Sequence, residues 1–153
     1  MKLVLTLCFL LTVTLGLYAQ SGMFGLAFED NYSHCDSQVQ QIKLSTKDQS
    51  GPVYTYRPEQ ESGYDSILNR LNLYMDKNSG LLSSWVGYFQ YPEGIDMEAE
   101  VLASMIELHG KDYTRSSQDF YKNPNVYTWK LDATHYARIG DAGDVYYVEY
   151  YIK

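Results

Sequence analysis

The chain predicts an α+β fold, one antiparallel sheet with two helices on one face, and three observations carry the prediction. Residues 125–153, NVYTWKLDATHYARIGDAGDVYYVEYYIK, alternate β-branched and aromatic residues with polar ones and break twice at turn residues, giving three successive antiparallel strands. Residues 71–89 read as a hairpin turning at Asp-Lys-Asn-Ser-Gly. Residues 32–42 and 97–108 repeat apolar side chains at three- and four-residue steps, as helices do when one stripe is buried. Those two helices are the natural cover for the strands.

The composition is that of a globular protein, with 45% hydrophobic and 20% charged residues among 153. Tyrosine is in excess, 16 residues against five Phe and two Trp. A tyrosine packs as a large apolar body and keeps a polar end that tolerates water, which suits both sheet surfaces and wet interfaces.

Lys2, the apolar run 3–17 and then Tyr18-Ala19-Gln20-Ser21 have the basic, apolar and small-residue regions of a secretory signal peptide. Cleavage is expected after Ala19, leaving residues 20–153 as a single α+β domain in a secreted or periplasmic location, with no membrane attachment. The apolar run is short for a bilayer span. Cys8 lies inside it and not at its end, so no lipid-modified N-terminal cysteine is expected. Removing this segment takes away Lys2 and no acidic residue, leaving 11 basic side chains against 19 acidic ones. A surface of that sign repels phosphate backbones and anionic lipids, so neither nucleic acid nor a membrane is an expected partner. Cys35 is then the sole cysteine, and the fold must hold without an internal disulfide.

Taken in order, Phe24, Leu26 and Phe28 alternate as an extended lead-in. Asp30, Asn31 or Ser33 can cap the first helix, whose stripe is Tyr32, Cys35, Val39 and Ile42. Cys35 on that stripe is expected to be a buried, unreactive thiol. Residues 43–52 are polar and end in Gly-Pro, the composition of a loop; 53–57 form a strand and 58–63 another loop. Strand 66–76 places Leu71, Leu73 and Met75 on one side. Its return, 81–91, places Trp85 and Phe89 on one side and Val86 and Tyr88 on the other. Asp96 opens the second helix, with Met97, Val101, Met105 and Leu108 as its stripe and Glu98 and Glu100 in the first turn, where the helix dipole favours negative charge. His109 and Gly110 close it. Residues 111–124 read as a long polar loop held down by Tyr113, Phe120 and Tyr121.

The order is thus helix, three strands, helix, three strands: about six strands in two αβββ units. The helix-covered face is expected to carry Leu71, Leu73, Met75, Tyr127, Trp129, Leu131, Tyr146, Val148, Tyr150 and Ile152.

The Phe24-Gly25-Leu26-Ala27-Phe28 lead-in, the 71–89 hairpin, the Leu108-His109-Gly110 helix end and the Trp129 and Tyr150 strands resemble those of small exported bacterial envelope proteins of unassigned function. Those carry an FGIxFG lead-in and a YG after their second helix. The element order is also similar to the duplicated αβββ architecture of β-lactamase inhibitory proteins and of small outer-membrane assembly lipoproteins. The chain departs from the pattern in having Glu29 where the second Gly of the lead-in falls, His109 where Tyr falls, and no lipid-bearing Cys. The resemblance implies a fold and an envelope location, and brings no site residues with it.

No Gly-rich phosphate loop, His-Glu-x-x-His, Gly-x-Ser-x-Gly or Cys-x-x-Cys occurs, so no catalytic residue, cofactor or metal is predicted. His34, Cys35 and Asp36 are consecutive on a helix and diverge by about 100° each, which prevents them from converging on one ion. The Asp141-Ala142-Gly143-Asp144 segment lacks the further oxygens of a calcium loop and reads as a hairpin turn. The expected function is a non-catalytic envelope module that binds another protein through the uncovered sheet face. A glycan-binding module, or a small secreted hydrolase pairing a carboxylate with His135 or His109, are the alternatives. With Tyr146, Val148 and Tyr150 turned to the helices, alternation sends Tyr147, Glu149 and Tyr151 outward, and neighbouring strands add Lys130, Tyr136 and Arg138. These six are the candidate binding residues.

Overall fold

The computed structural model describes residues 22–58, 67–117 and 125–153. The expected signal segment and loop residues Phe120 and Tyr121 lie outside them. A 3-10 turn at Met23–Gly25 leads into helix α1, Tyr32–Gln41, and then strands β1 Leu44–Ser50, β2 Val53–Pro58, β3 Leu68–Met75 and β4 Leu82–Phe89. Helix α2, Met97–His109, is followed by β5 Tyr113–Ser117, β6 Asn125–Lys130, β7 His135–Asp141 and β8 Tyr146–Ile152. All eight strands join one antiparallel sheet in the order β1-β2-β3-β4-β8-β7-β6-β5. Two four-strand meanders meet last strand to last strand, an arrangement with the symmetry of a two-fold axis normal to the sheet. No helix among the described residues is long and apolar enough to cross a membrane.

The α+β class, the two helices and the large antiparallel sheet agree with the sequence pattern; the strand count does not. Among the described residues each unit has four strands where three are expected, because β1 and β5 fall in the segments 43–52 and 111–124 that read as loops. Both are edge strands with one neighbour each, and most of their residues whose burial is described are solvent-exposed. Among the described side chains only Leu44 of β1 enters the core and only Tyr113 of β5 packs against it, so neither strand carries an apolar alternation, and polar residues on an edge also discourage pairing with other chains. The lead-in, expected to be extended, instead opens in the 3-10 turn.

Both helices lie on one face of the sheet. Asn31 caps α1 by accepting from His34 N at 3.0 Å, and α1 buries Cys35 and Val39. The Tyr56 hydroxyl, from the same sheet face, reaches the Asp36 carboxylate at 2.8 Å, and the Tyr32 and Tyr54 rings stack at 4.1 Å. Burial and the adjacent carboxylates push the Cys35 thiol up to about 12, so it stays protonated and inert. Asp96 caps α2, which buries Met97, Val101 and Met105. Its Glu98 accepts the Tyr127 hydroxyl at 2.6 Å.

Between and beneath the helices lie Leu71, Leu73, Met75, Trp85, Tyr127, Trp129, Ala137, Ile139, Tyr146, Val148 and Tyr150, all buried. The Trp129 indole N–H donates to Gly110 O at 2.9 Å, tying β6 to the end of α2. Three expected core residues are corrected. Ile152 is 50% exposed at the end of its strand, Leu108 is 48% exposed, and Ile42 is 40% exposed at the C-cap of α1. Each stands at a terminus, where the covering layer stops. Leu131, just past β6, is half-buried against the core.

Glu29, the departure from the FGIxFG pattern, has φ 68°, in the left-handed region. Its N–H donates to Leu82 O at 2.9 Å, so the bend is fixed by the contact with β4. An L-residue pays about 1–2 kcal/mol for that conformation, and glycine recovers most of it despite its greater chain entropy. Glu29→Gly is therefore expected to raise stability by about 0.5–1 kcal/mol in a urea unfolding curve. An unchanged or lower midpoint contradicts the strain at this bend.

Candidate functional site

The candidate face is built by alternation on β8. Tyr146, Val148 and Tyr150 are buried on the helix side, which turns Tyr147, Glu149 and Tyr151 to the other side, where each is half-buried. Register then assembles cross-strand rows. In one, Gly140 faces Tyr147, Tyr147 faces Tyr88 and Tyr88 neighbours Arg70. The next runs Thr128, Arg138, Glu149, Val86, Asn72 and Thr55. A further pair of segments holds Lys130, Tyr136 and Tyr151 on β6, β7 and β8, and Ser84, Tyr74 and Val53 on β4, β3 and β2. A polar, charged row is flanked on both sides by tyrosine.

The side chains interlock. Arg138 Nε donates to Glu149 Oε2, and the guanidinium lies 5.1 Å from the Tyr151 ring centre and 6.0 Å from that of Tyr147. Burial works against the charge on Arg138, but the hydrogen bond and attraction of Glu149 outweigh it and the pKa rises. Arg70 sits 4.3 Å above the Tyr88 ring, Tyr136 and Tyr151 stack at 5.6 Å, and Lys153 Nζ is 5.9 Å from Tyr136. Contacts between cations and ring faces are worth about 0.5–1 kcal/mol each at exposed sites. They hold both partners in place before anything binds. Tyr74, Ser84, Val86, Tyr88, Arg138, Tyr147 and Glu149 line an open groove of about 420 Å³. Tyr147 also covers Gly140: a Cβ there would stand 2.9 Å from the tyrosine oxygen. Glycine lets the ring lie flat against β7, so Tyr147 supports the sheet as well as forming the groove wall.

The structure thus brings Lys130, Tyr136, Arg138, Tyr147, Glu149 and Tyr151 onto one face. It adds Arg70, Tyr74, Val86 and Tyr88 from the β3–β4 hairpin, whose sidedness is legible in the 71–89 alternation. What is not legible is that β4 is the neighbour of β8, since the two strands are far apart in the chain.

The histidines stand elsewhere. His135 Nδ1 is 2.7 Å from Asp132 Oδ2, and its ring packs on Phe28 at 4.2 Å. Asp132 also accepts the backbone N–H groups of Thr134 and His135, and these bonds hold its carboxyl down at about 2. The pair is therefore part of the β6–β7 turn. His109 Nε2 meets the Tyr150 hydroxyl at 2.8 Å on the helix side. The two imidazoles have different partners, and among the described residues no group of three His, Cys, Asp or Glu is placed to hold a metal ion. A second hollow of about 540 Å³, largely apolar, lies between the start of α2 and Met23, Ile67 and Phe89.

No protein-family model, curated protein or solved structure matches the chain.

Burial pulls the His109 pKa below its ordinary 6.5, so the folded protein takes up this proton less readily than the unfolded chain. The associated stability is complete above 6.5 and is lost as pH falls toward the depressed value. The imidazole titration followed by NMR is expected to have its midpoint below 6.5, and His109→Gln to flatten the fall of melting temperature over that window. A midpoint above 6.5, or parallel pH profiles for the two proteins, contradicts the assignment.

Proposed function

We propose that the chain is an exported, non-catalytic protein of the bacterial envelope, secreted or periplasmic, and that the sheet face opposite the helices binds another protein. The observation that supports this is the clustering of Tyr74, Tyr88, Tyr136, Tyr147 and Tyr151 with Arg70 and Arg138 across adjacent strands on the face the helices leave. Tyrosine and arginine are enriched at protein interfaces because each buries a large area and still offers directed hydrogen bonds. The cation–ring contacts and the Arg138–Glu149 pair fix these side chains beforehand, which lowers the entropy cost of docking. The groove over Val86 can take an inserted side chain, with Tyr147 and Tyr151 as the anchors beside it.

Tyr147→Ser/Tyr151→Ser is expected to lower partner capture from the native extracellular or envelope fraction by more than about tenfold, the loss typical of removing interface anchors. The double variant should keep its circular-dichroism spectrum and melt a few degrees lower, because Gly140 loses its cover. Glu107→Ala, on the exposed side of α2, should capture normally. Undiminished capture by a folded double variant refutes the reading.

A further inference from the structure

Charge is segregated between the two faces. Arg57, Arg70, Lys130, Arg138 and Lys153 belong to the outer sheet face by alternation and register, five of the ten basic residues in the described segments. The same face carries Asp48 and Glu149, two of the fifteen acidic residues described. A protein of net charge −7 therefore has one cationic face, with its acidic excess on the helices and loops.

We propose that the partner of this face is an acidic polypeptide segment. The inference rests on the binding role proposed above and adds the chemistry of what is bound. Arg70 and Arg138 lie over the rings of Tyr88 and Tyr151, and beyond the bond from Arg138 Nε to Glu149 a guanidinium has further N–H donors for carboxylates. Lys130 and Lys153 supply exposed ammonium groups at the β6–β8 end of the same surface, beside Tyr136 and Tyr151. Glu149 decides between kinds of polyanion. It occupies the middle of the central row, where a continuous phosphodiester backbone would meet it. A peptide can place its carboxylates on the flanking cations and an apolar or aromatic side chain over Val86. The field of the remaining acidic surface also opposes close approach of nucleic acid along the whole molecule.

The test uses amide chemical shifts of the full-length mature chain, titrated separately with oligoglutamate, oligolysine and oligothymidylate. Oligoglutamate is expected to shift outer-face amides of β3, β4, β7 and β8, with affinity falling steeply between about 0.05 M and 0.3 M salt as exposed charges are screened. Lys130→Glu/Lys153→Glu changes only exposed positions and should weaken oligoglutamate at least about tenfold, as reversing charges at an interface does. Arg70→Gln, a milder change at a half-buried site, should weaken it in the same direction. Oligolysine shifting the same amides while oligoglutamate does not overturns the acidic partner and leaves the binding face standing. Tighter binding of oligothymidylate than of oligoglutamate overturns the polypeptide class. Oligoglutamate shifts confined to the helix side, or no shifts at all, overturn the proposal at this face. So does concentration-dependent self-association through it, which makes a second copy the occupant. Loss of partner capture in the tyrosine double variant, measured independently, separates failure of this inference from failure of the binding role.

Discussion

The contact between Trp85 and Tyr150 holds the two halves of the molecule together. The residues face each other directly across β4 and β8, the one strand pair joining the two meanders, and their rings lie nearly parallel at 4.4 Å. Tyr150 then gathers the elements above it. Its hydroxyl accepts from Met23 N at 2.9 Å, meets His109 Nε2 at 2.8 Å and lies 3.5 Å from Met105 Sδ. Gly22 fits over the stack only because it has no side chain, as a Cβ would stand 2.5 Å from the Trp85 ring. One tyrosine thereby ties the lead-in, the end of α2 and both units to a single core. Its burial raises the phenol's pKa, so it remains a neutral donor and acceptor across the ordinary pH range.

Fixing Tyr150 inward also fixes what faces outward. Period-two alternation leaves no freedom for Tyr147, Glu149 and Tyr151 once their neighbours are committed to the core, since a one-residue slip would turn every inward side chain of β8 into solvent. The tyrosine–arginine surface is in this sense the reverse side of the core. The two sides differ in how they satisfy polar groups. On the helix side, the hydroxyls of Tyr56, Tyr127 and Tyr150 find Asp36, Glu98 and His109. On the outer side, the rings serve as platforms for Arg70, Arg138 and Lys153.

This division explains which parts were readable in the sequence. The inward positions of β3, β6 and β8 follow from strict alternation, and nine of the ten residues expected beneath the helices are buried or packed against the core, Ile152 being the exception. Asp96, Glu98, His109 and Gly110 stand where helix-end chemistry places them. The edge strands β1 and β5 escaped because their residues answer to one backbone neighbour and to solvent, which select polarity and not periodicity. The six candidate residues share a face as alternation requires. Their neighbours from the other hairpin were hidden because the β4–β8 contact is a long-range pairing that local pattern does not encode. The sign of the face was hidden too: net charge sums over the whole chain and conceals a cationic surface within an acidic protein.

The most direct test of this account is native-state amide hydrogen exchange at the β4–β8 seam. If the Trp85–Tyr150 contact unites the halves, the seam amides of Trp85, Gly87, Val148 and Tyr150 should exchange only through global unfolding, with one free energy shared by β3 and β7. Exchange of one meander at a distinctly lower free energy than the other, with the seam opening before either core, would contradict it.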